Sequence, residues 1–501
     1  MHQRAVARLE QLQQENDELR AKLRLRERQL FERKSEKTAP QPHTTATATP
    51  AQPPKRPRGQ QPGRPGPTRR CYDHLPKVEE SVTIPAAQQH CPDCGQPWLP
   101  FPGTEDAELL EIDVRAYRRV YRRHRYRPGC TCGTQPGIIA APPPPKVLPK
   151  SHLGVSVWVT LLLDKYRFGR PTHRLLEDLR SHGLDLSLGT VTDGLQRLTP
   201  LFEPLYEALI EQQRQEHHWH ADETRWLVFA TFEGKVGHRW YLWAVQSEQA
   251  VVFLLDPGRA HDVPEDHLGP EAFGILNVDR YSAYKAMKQV KEGRILLAFC
   301  WAHVRRDFLA VARDWPSEQE WGLRWVADIG ALYHLNDQRR AAQKEPLAFA
   351  ARHAALQTAI AGMAERCQQE LDEPHLHPAR RKVLESLQEH WSGLTVFVNV
   401  WDVPMDNNAV ERTLRGPVVG RKNYSGSGSF WSGWLAAMLF SVFETVARAG
   451  LNVRLWLTAY LEACAAAGGQ APVEAARFLP WRLSAAEKRQ YGAEAAAADS
   501  G

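Results

Sequence analysis

An aspartate in the middle of a β-strand is the feature that most restricts how this chain can fold. The run His218-Trp-His-Ala-Asp-Glu-Thr-Arg-Trp226 has a strand period of two. That period puts His218, His220, Asp222 and Thr224 on one face and Trp219, Ala221, Glu223 and Arg225 on the other. A carboxylate held on a central strand is costly unless something compensates for it, and divalent cations do so well. The surrounding pattern says where that strand belongs. His217–Ala230, Arg239–Gln246 and Ala250–Leu255 read as three β-runs in succession, a meander. Gly274–Asp279 and Arg294–Phe299 follow, each succeeded by a helical segment.

Three antiparallel strands and then alternating strand and helix is the order expected of an α/β, RNase H-like core. This core is expected over residues 216–430, with a helical insertion near 301–400 where the pattern from Trp301 to Val398 is almost wholly helical. A helical element over 431–481 and a loose Ala-rich tail over 482–501 complete the expected C-terminal part. Upstream, residues 146–215 read as a helical DNA-binding region. Arg170-Pro-Thr172 starts a helix running to Leu179, a polar turn covers His182–Gly189, and a second helix spans Thr190–Leu198. The outline is that of a helix-turn-helix, although an ordinary helical hairpin fits it as well.

The 501 residues carry a net charge of +6 that is unevenly spread. Residues 1–70 hold +9, residues 71–150 hold +1, and the remainder holds −4. A basic arm on a near-neutral body points to a polyanionic partner or to a solubilising tail. Within residues 1–37, Leu9, Asn16, Leu23 and Leu30 fall at heptad position a, and Leu12 and Leu19 at d. Asn at a, with Glu15 facing Arg20 and Lys22 facing Glu27, fits a parallel homodimeric coiled coil. Residues 38–70 form a basic Pro-rich linker, whose Arg56, Arg58 and Arg64 suit an A·T-rich minor groove. In the β-like module of residues 71–145, Cys91, Cys94, Cys130 and Cys132 offer four thiolates for one structural Zn2+. The longest mostly apolar stretch, Leu153–Leu163, is too short for a bilayer, and the N-terminus is charged, so a cytoplasmic protein without a membrane partner is expected.

Three acids stand apart by placement: Asp222 inside the first strand, Asp279 ending an apolar strand, and Glu411 at a helix start in Asp406-Asn-Asn-Ala-Val-Glu-Arg-Thr-Leu-Arg415. Two Mg2+ or Mn2+ ions held by such carboxylates serve phosphodiester chemistry. Arg412, Arg415, Arg421 and Lys422 follow Glu411 and suit phosphates near a cut. Cys300 and His303 make a C-x-x-H pair suited to bracing the core or orienting a strand, although a packed Cys and a hydrogen-bonded His fit the spacing as well; two ligands alone make a poor zinc site.

The blocks His220-Ala-Asp-Glu-Thr224, Val278-Asp-Arg-Tyr-Ser-Ala-Tyr284, Cys300-Trp-Ala-His-Val-Arg-Arg-Asp-Phe308, Asp406-Asn-Asn-Ala-Val-Glu-Arg412 and Leu414-Arg-Gly-Pro-Val-Val-Gly-Arg-Lys-Asn423 resemble the signature blocks of the insertion-sequence 66 transposases. The resemblance covers nearly the whole chain. It implies that Asp222, Asp279 and Glu411 are a DDE metal-binding triad, that DNA ends and target DNA are the partners, and that small companion proteins of the same element take part. The sequence departs from the pattern at Arg280, where Gly is common, and at Cys130-Thr-Cys132, which replaces a C-x-x-C and leaves His90 or His124 as substitute ligands. No G-x-x-x-x-G-K-[ST] loop is present, so ATP hydrolysis is not expected. Two other readings stay open: a DNA-binding regulator with an inactive core, and a tyrosine recombinase using His303-x-x-Arg306 with Tyr333 as nucleophile.

Overall fold

The computed structural model describes residues 114–127, 138–231 and 237–492, with short stretches between 77 and 110. The heptads of residues 1–37 and the linker of 38–70, with Arg56, Arg58 and Arg64, lie outside the described residues. Five strands form one mixed sheet: β1 (His218–Leu227), β2 (Arg239–Gln246), β3 (Val251–Asp256), β4 (Gly274–Val278) and β5 (Ile295–Phe299). Their spatial order is β3-β2-β1-β4-β5. Neighbours among the first three strands pair antiparallel, whereas β4 runs parallel to β1 and β5 parallel to β4. The reason is connection length. Loops join β1 to β2 and β2 to β3, while helical crossovers lead into β4 and β5. All five expected strands are present, the first ending at Leu227 rather than Ala230.

Helices cover both faces of the sheet. α1 (Val155–Leu162), α2 (Thr172–Ser181) and α3 (Leu188–Arg214) precede it. After it come α4 (Trp301–Asp314), α5 (Gln319–Ala341), α6 (Pro346–Leu371) and α7 (Pro378–Glu389). The last part holds α8 (Asn408–Tyr424), α9 (Phe430–Arg448) and α10 (Val453–Ala466). The period-two pattern sorts the strands between two cores. Trp226, Trp240, Leu242 and Ala244 join α1, α3, α9 and α10 on one face. Trp219, Ala221, Trp243 and Val245 join α4 to α7 on the other. The helical insertion is therefore no separate body; Trp325, Leu356 and Leu384 share a core with Trp219.

Both sheet edges are covered. The outward N–H groups of Val251 and Phe253 on β3 donate to the Thr445 and Ser441 hydroxyls of α9, at 2.9 and 2.8 Å. The Tyr206 hydroxyl of α3 donates to the Phe253 carbonyl at 2.8 Å. An edge strand left bare would be a template for another chain, and a buried unpaired group costs about 1–3 kcal/mol. At the β5 edge, Gly393 lies so close that a Cβ there would come within 2.4 Å of the Phe299 ring.

Three expectations change. The second helix of the helix-turn-helix outline runs to Arg214 instead of Leu198, through Pro200 and Pro204. Each proline removes one helix donor, but the face Leu195, Leu198, Leu201, Phe202, Leu205 and Leu209 is buried and offsets that loss. α9 is a longer apolar segment than Leu153–Leu163, with mean hydropathy 1.3, enough by length and composition to cross a membrane. It is mostly buried, between the sheet and α3, which accounts for its apolar character. The tail is ordered as far as Gly492: a capping box of Ser484 and Glu487 starts a helix at Ala485–Gln490, and the Tyr491 carbonyl accepts Asn452 N–H. In the 71–145 module, Arg125–Tyr126 pairs antiparallel with Ile139–Ala140, and the Ala141 N–H donates to the His124 carbonyl at 3.1 Å.

Candidate active site

Asp222 sits midway along β1, opposite Ala244 of β2, on the face that carries His218, His220 and Thr224. α8 lies over this face and presents Glu411 from its first turn, a favourable place for a carboxylate near helix N–H groups. Between them is a cleft of about 310 Å³, lined by Asp222, Glu223, Thr224, His303, Arg306, Glu411, Leu414, Arg415 and Val418. The helix is seated at both ends. At its far end the Asn423 side chain donates to the Gly169 carbonyl at 3.0 Å. Gly169 has a positive φ of 65°, and a Cβ there would come within 3.0 Å of the Gly420 backbone, so a side chain at Gly169 would press on α8.

At its near end one residue does most of the joining. Asn407 Nδ2 donates to the Ala221 carbonyl of β1 at 2.8 Å, and its backbone N–H donates to Cys300 Sγ at 3.2 Å. Its Oδ1 must then accept from His220 Nδ1, 3.0 Å away, which fixes the tautomer of that imidazole. Burial, with His218 beside it, pushes the His220 pKa down to about 4, so the ring is neutral and can keep this role. His218 in turn bonds Asn277 of β4 at 2.8 Å. The chain thus runs from strand to strand to helix, and it sets the depth of Glu411 relative to Asp222.

The acids differ in their surroundings. Asp222 Oδ1 accepts the Glu223 N–H at 2.9 Å, and no Arg or Lys among the described residues pairs with it. Burial, together with the charges of Glu223, Asp279 and Glu411, pushes its pKa up to about 8. Asp279 follows β4 and its Oδ1 accepts the Tyr281 N–H at 2.9 Å; it is not among the residues lining the cleft. Glu411 Oε2 accepts from Arg306 Nη2 at 3.2 Å, and Oε1 is 3.9 Å from His303 Nδ1. Among the described residues, the potential metal donors gathered within 4.8 Å of one another are Cys300, His303 and Glu411, not the three acids. Asp222 and Glu411 meet across one cleft, and Asp279 reaches them through its charge.

The expected phosphate-binding cations do not form one cluster. Arg415, one helical turn from Glu411, lines the cleft. Arg421 donates to Thr224 Oγ1 at 3.1 Å and is half-buried. Arg412 and Lys422 are exposed and do not line the cleft. Arg306 and Asn407 are not in the set expected for the acidic site; Arg306 entered only through the His303-x-x-Arg306 motif and a quoted block, and Asn407 only through a quoted block. Tyr333 is also absent from the cleft, and burial with Asp406 beside it raises its pKa well above the ordinary phenol value. Of the four module cysteines, Cys94 is exposed with a free thiol, and Cys91, Cys130 and Cys132 lie outside the described residues.

Comparison with known proteins places the chain in a family. Three uncharacterized proteins of Sinorhizobium fredii resemble the chain over most of their length. The protein y4jD is 26% identical over 428 residues, covering 82% of this chain and 81% of that protein. The protein y4qI is 25% identical over 445 residues, covering 85% and 79%, and y4hP is 23% identical over 409 residues, covering 76% and 71%. A family model described as Transposase IS66 family matches residues 150–434, the sheet, the insertion and α8 together. With more than half of its length matched by that model, the chain belongs to the IS66 family of transposases.

Proposed function

We propose that this transposase cuts DNA at the ends of an insertion element and joins the freed 3′-hydroxyls to target DNA, with Asp222, Asp279 and Glu411 as the metal-binding acids of an RNase H-like core. The strand order, three antiparallel and two parallel with the first acid on the central strand, supports the fold reading. The observation that carries the proposal is the state of Asp222. It is a buried carboxyl among like charges, with one backbone donor and no Arg or Lys partner among the described residues, a setting that a bound divalent cation would complete. An all-carboxylate set suits hard divalent ions, Mg2+ or Mn2+. Such ions, when bound, lower the pKa of the attacking water or 3′-hydroxyl and neutralise the leaving oxygen.

The remaining residues position the substrate. Arg415 and Arg306 face the cleft and meet phosphates of the cleaved strand, while Leu414 and Val418 narrow it and limit water. Arg421 holds Thr224, and Asn407 holds the register between β1 and α8. The N-terminal heptads pair two protomers, the Arg56, Arg58 and Arg64 linker follows a groove, and the cysteine module holds a structural Zn2+. Companion proteins of the element and a cytoplasmic, nucleoid-associated setting belong to the same reading.

The test is strand transfer of pre-cut element ends with Mg2+ or Mn2+, comparing wild type with Asp222→Ala, Asp279→Ala and Glu411→Ala. Loss in all three with end binding kept supports the triad. Activity that survives Asp222→Ala refutes it. A metal-independent covalent 3′-phosphotyrosyl product would identify a recombinase, and binding without chemistry in the wild type would favour the regulator.

A further inference from the structure

Cys300, at the start of α4, His303 in its first turn and Glu411 in the first turn of α8 meet at the wall of the cleft, although the last two are 108 positions apart in the sequence. One sulfur, one ring nitrogen and one carboxylate oxygen lie within 4.8 Å of one another. Two of these atoms, His303 Nδ1 and Glu411 Oε1, are inaccessible to water, 3.9 Å apart, and neither has a hydrogen-bond partner. Inward-facing polar atoms left in this way are costly, and an ion is one of the recurrent reasons for finding them. The third atom is Cys300 Sγ, which is fully buried and accepts the Asn407 N–H at 3.2 Å.

The donor set decides which ion fits. A thiolate, an imidazole and one carboxylate oxygen form a borderline-soft set that matches Zn2+, whereas Mg2+ takes oxygen ligands almost alone. Zinc bonds of about 2.0–2.3 Å place tetrahedral donors roughly 3.3–3.8 Å apart. The 3.9 Å between His303 and Glu411 closes to that range with a small side-chain rotation. We infer that Cys300, His303 and Glu411 bind one Zn2+, with water in the fourth position, separate from the ions of the proposed triad. Binding releases the thiol proton of Cys300 to water. The zinc takes Glu411 Oε1 and leaves Oε2, on the Arg306 side, to the cleft. That consequence rests on the reading of Glu411 as the third acid; the binding of zinc does not.

The experiment is the zinc content of the full chain after equilibrium dialysis, with Co2+ as a spectroscopic substitute that gives a thiolate charge-transfer band. Wild type is expected to hold one equivalent more than His303→Ala or Cys300→Ser, whether or not the N-terminal cysteine module holds its own ion. In a Cys91→Ser/Cys94→Ser background the Co2+ thiolate band persists and disappears on adding Cys300→Ser. Glu411→Gln weakens binding at least tenfold. Equal zinc in wild type and in folded His303→Ala, with an unchanged band, overturns the site and leaves the His303–Glu411 pair held by a proton alone. Because Cys300 is buried, Cys300→Ser can fail to fold; His303→Ala, partly exposed, decides the matter in that case. Asp222→Ala keeps the zinc whatever happens to strand transfer, so failure here and failure of the transposition mechanism are distinguishable.

Discussion

Asp222 and Glu223 are neighbours on one strand, and they face opposite sides of it. Burial raises the pKa of both. On the Glu223 side the protein answers that cost itself. The carboxylate, 1% exposed, accepts the Tyr284 hydroxyl at 2.7 Å and the Arg259 guanidinium, which is stacked 3.9 Å from the Tyr281 ring centroid. On the Asp222 side there is one backbone N–H and further acids. A carboxylate that the fold has already neutralised is part of the scaffold. One left among like charges in a cleft is kept for a ligand.

The largest expected effect separates the two residues by chemistry. Asp222→Ala should lower strand transfer at least about a thousandfold, roughly 4 kcal/mol of barrier, while Glu223→Gln loses at most about tenfold. Equal losses would break the comparison. The next separates them by pH. An aspartate at about 8 in the folded chain and near 3.9 unfolded binds more protons when folded, so its contribution is whole below about pH 4 and is lost as pH rises through about 8. The metal-free protein should therefore lose stability over that window, on the order of 5 kcal/mol at most. Asp222→Asn should flatten the slope, and Mg2+ should restore the lost stability at pH 8, both read from melting temperature against pH in chelator. A slope unchanged by Asp222→Asn would mean that other groups carry it.

A smaller effect tests the satisfied side. Glu223→Ala leaves the Tyr284 hydroxyl buried without its acceptor and should cost about 1–3 kcal/mol in urea denaturation, independent of Mg2+. The smallest serves as a reference away from both faces: Ser441→Ala or Thr445→Ala should each cost about 1 kcal/mol by exposing one β3 donor, with no change in the dependence on metal.

Much of this was legible in the chain. The period of two in His218–Trp226 assigned Asp222 and Glu223 to opposite faces, and the packing keeps them there. Strand order followed from short and long connections. The pattern carries α3 only to Leu198; the buried face beyond it shows why the helix continues through Pro200 and Pro204 to Arg214. The four cations after Glu411 looked like one cluster in sequence. A helix turns 100° per residue, so Arg415 returns to the Glu411 face and Arg412 does not. Asn407 carried no signal of its own, because its partners Ala221, His220 and Cys300 are more than a hundred residues away.

Local patterning alone determined which residues could form strands and helices, which side of β1 each acid takes, and which family blocks are present, since each depends on spacing within about ten residues. Tertiary structure decided the rest. It chose which acid is neutralised and which is left exposed to a ligand, because Arg259 and Tyr284 reach only one face of β1. It also completed the pair Cys300 and His303 with Glu411, because helix packing brings together donors that no sequence spacing relates.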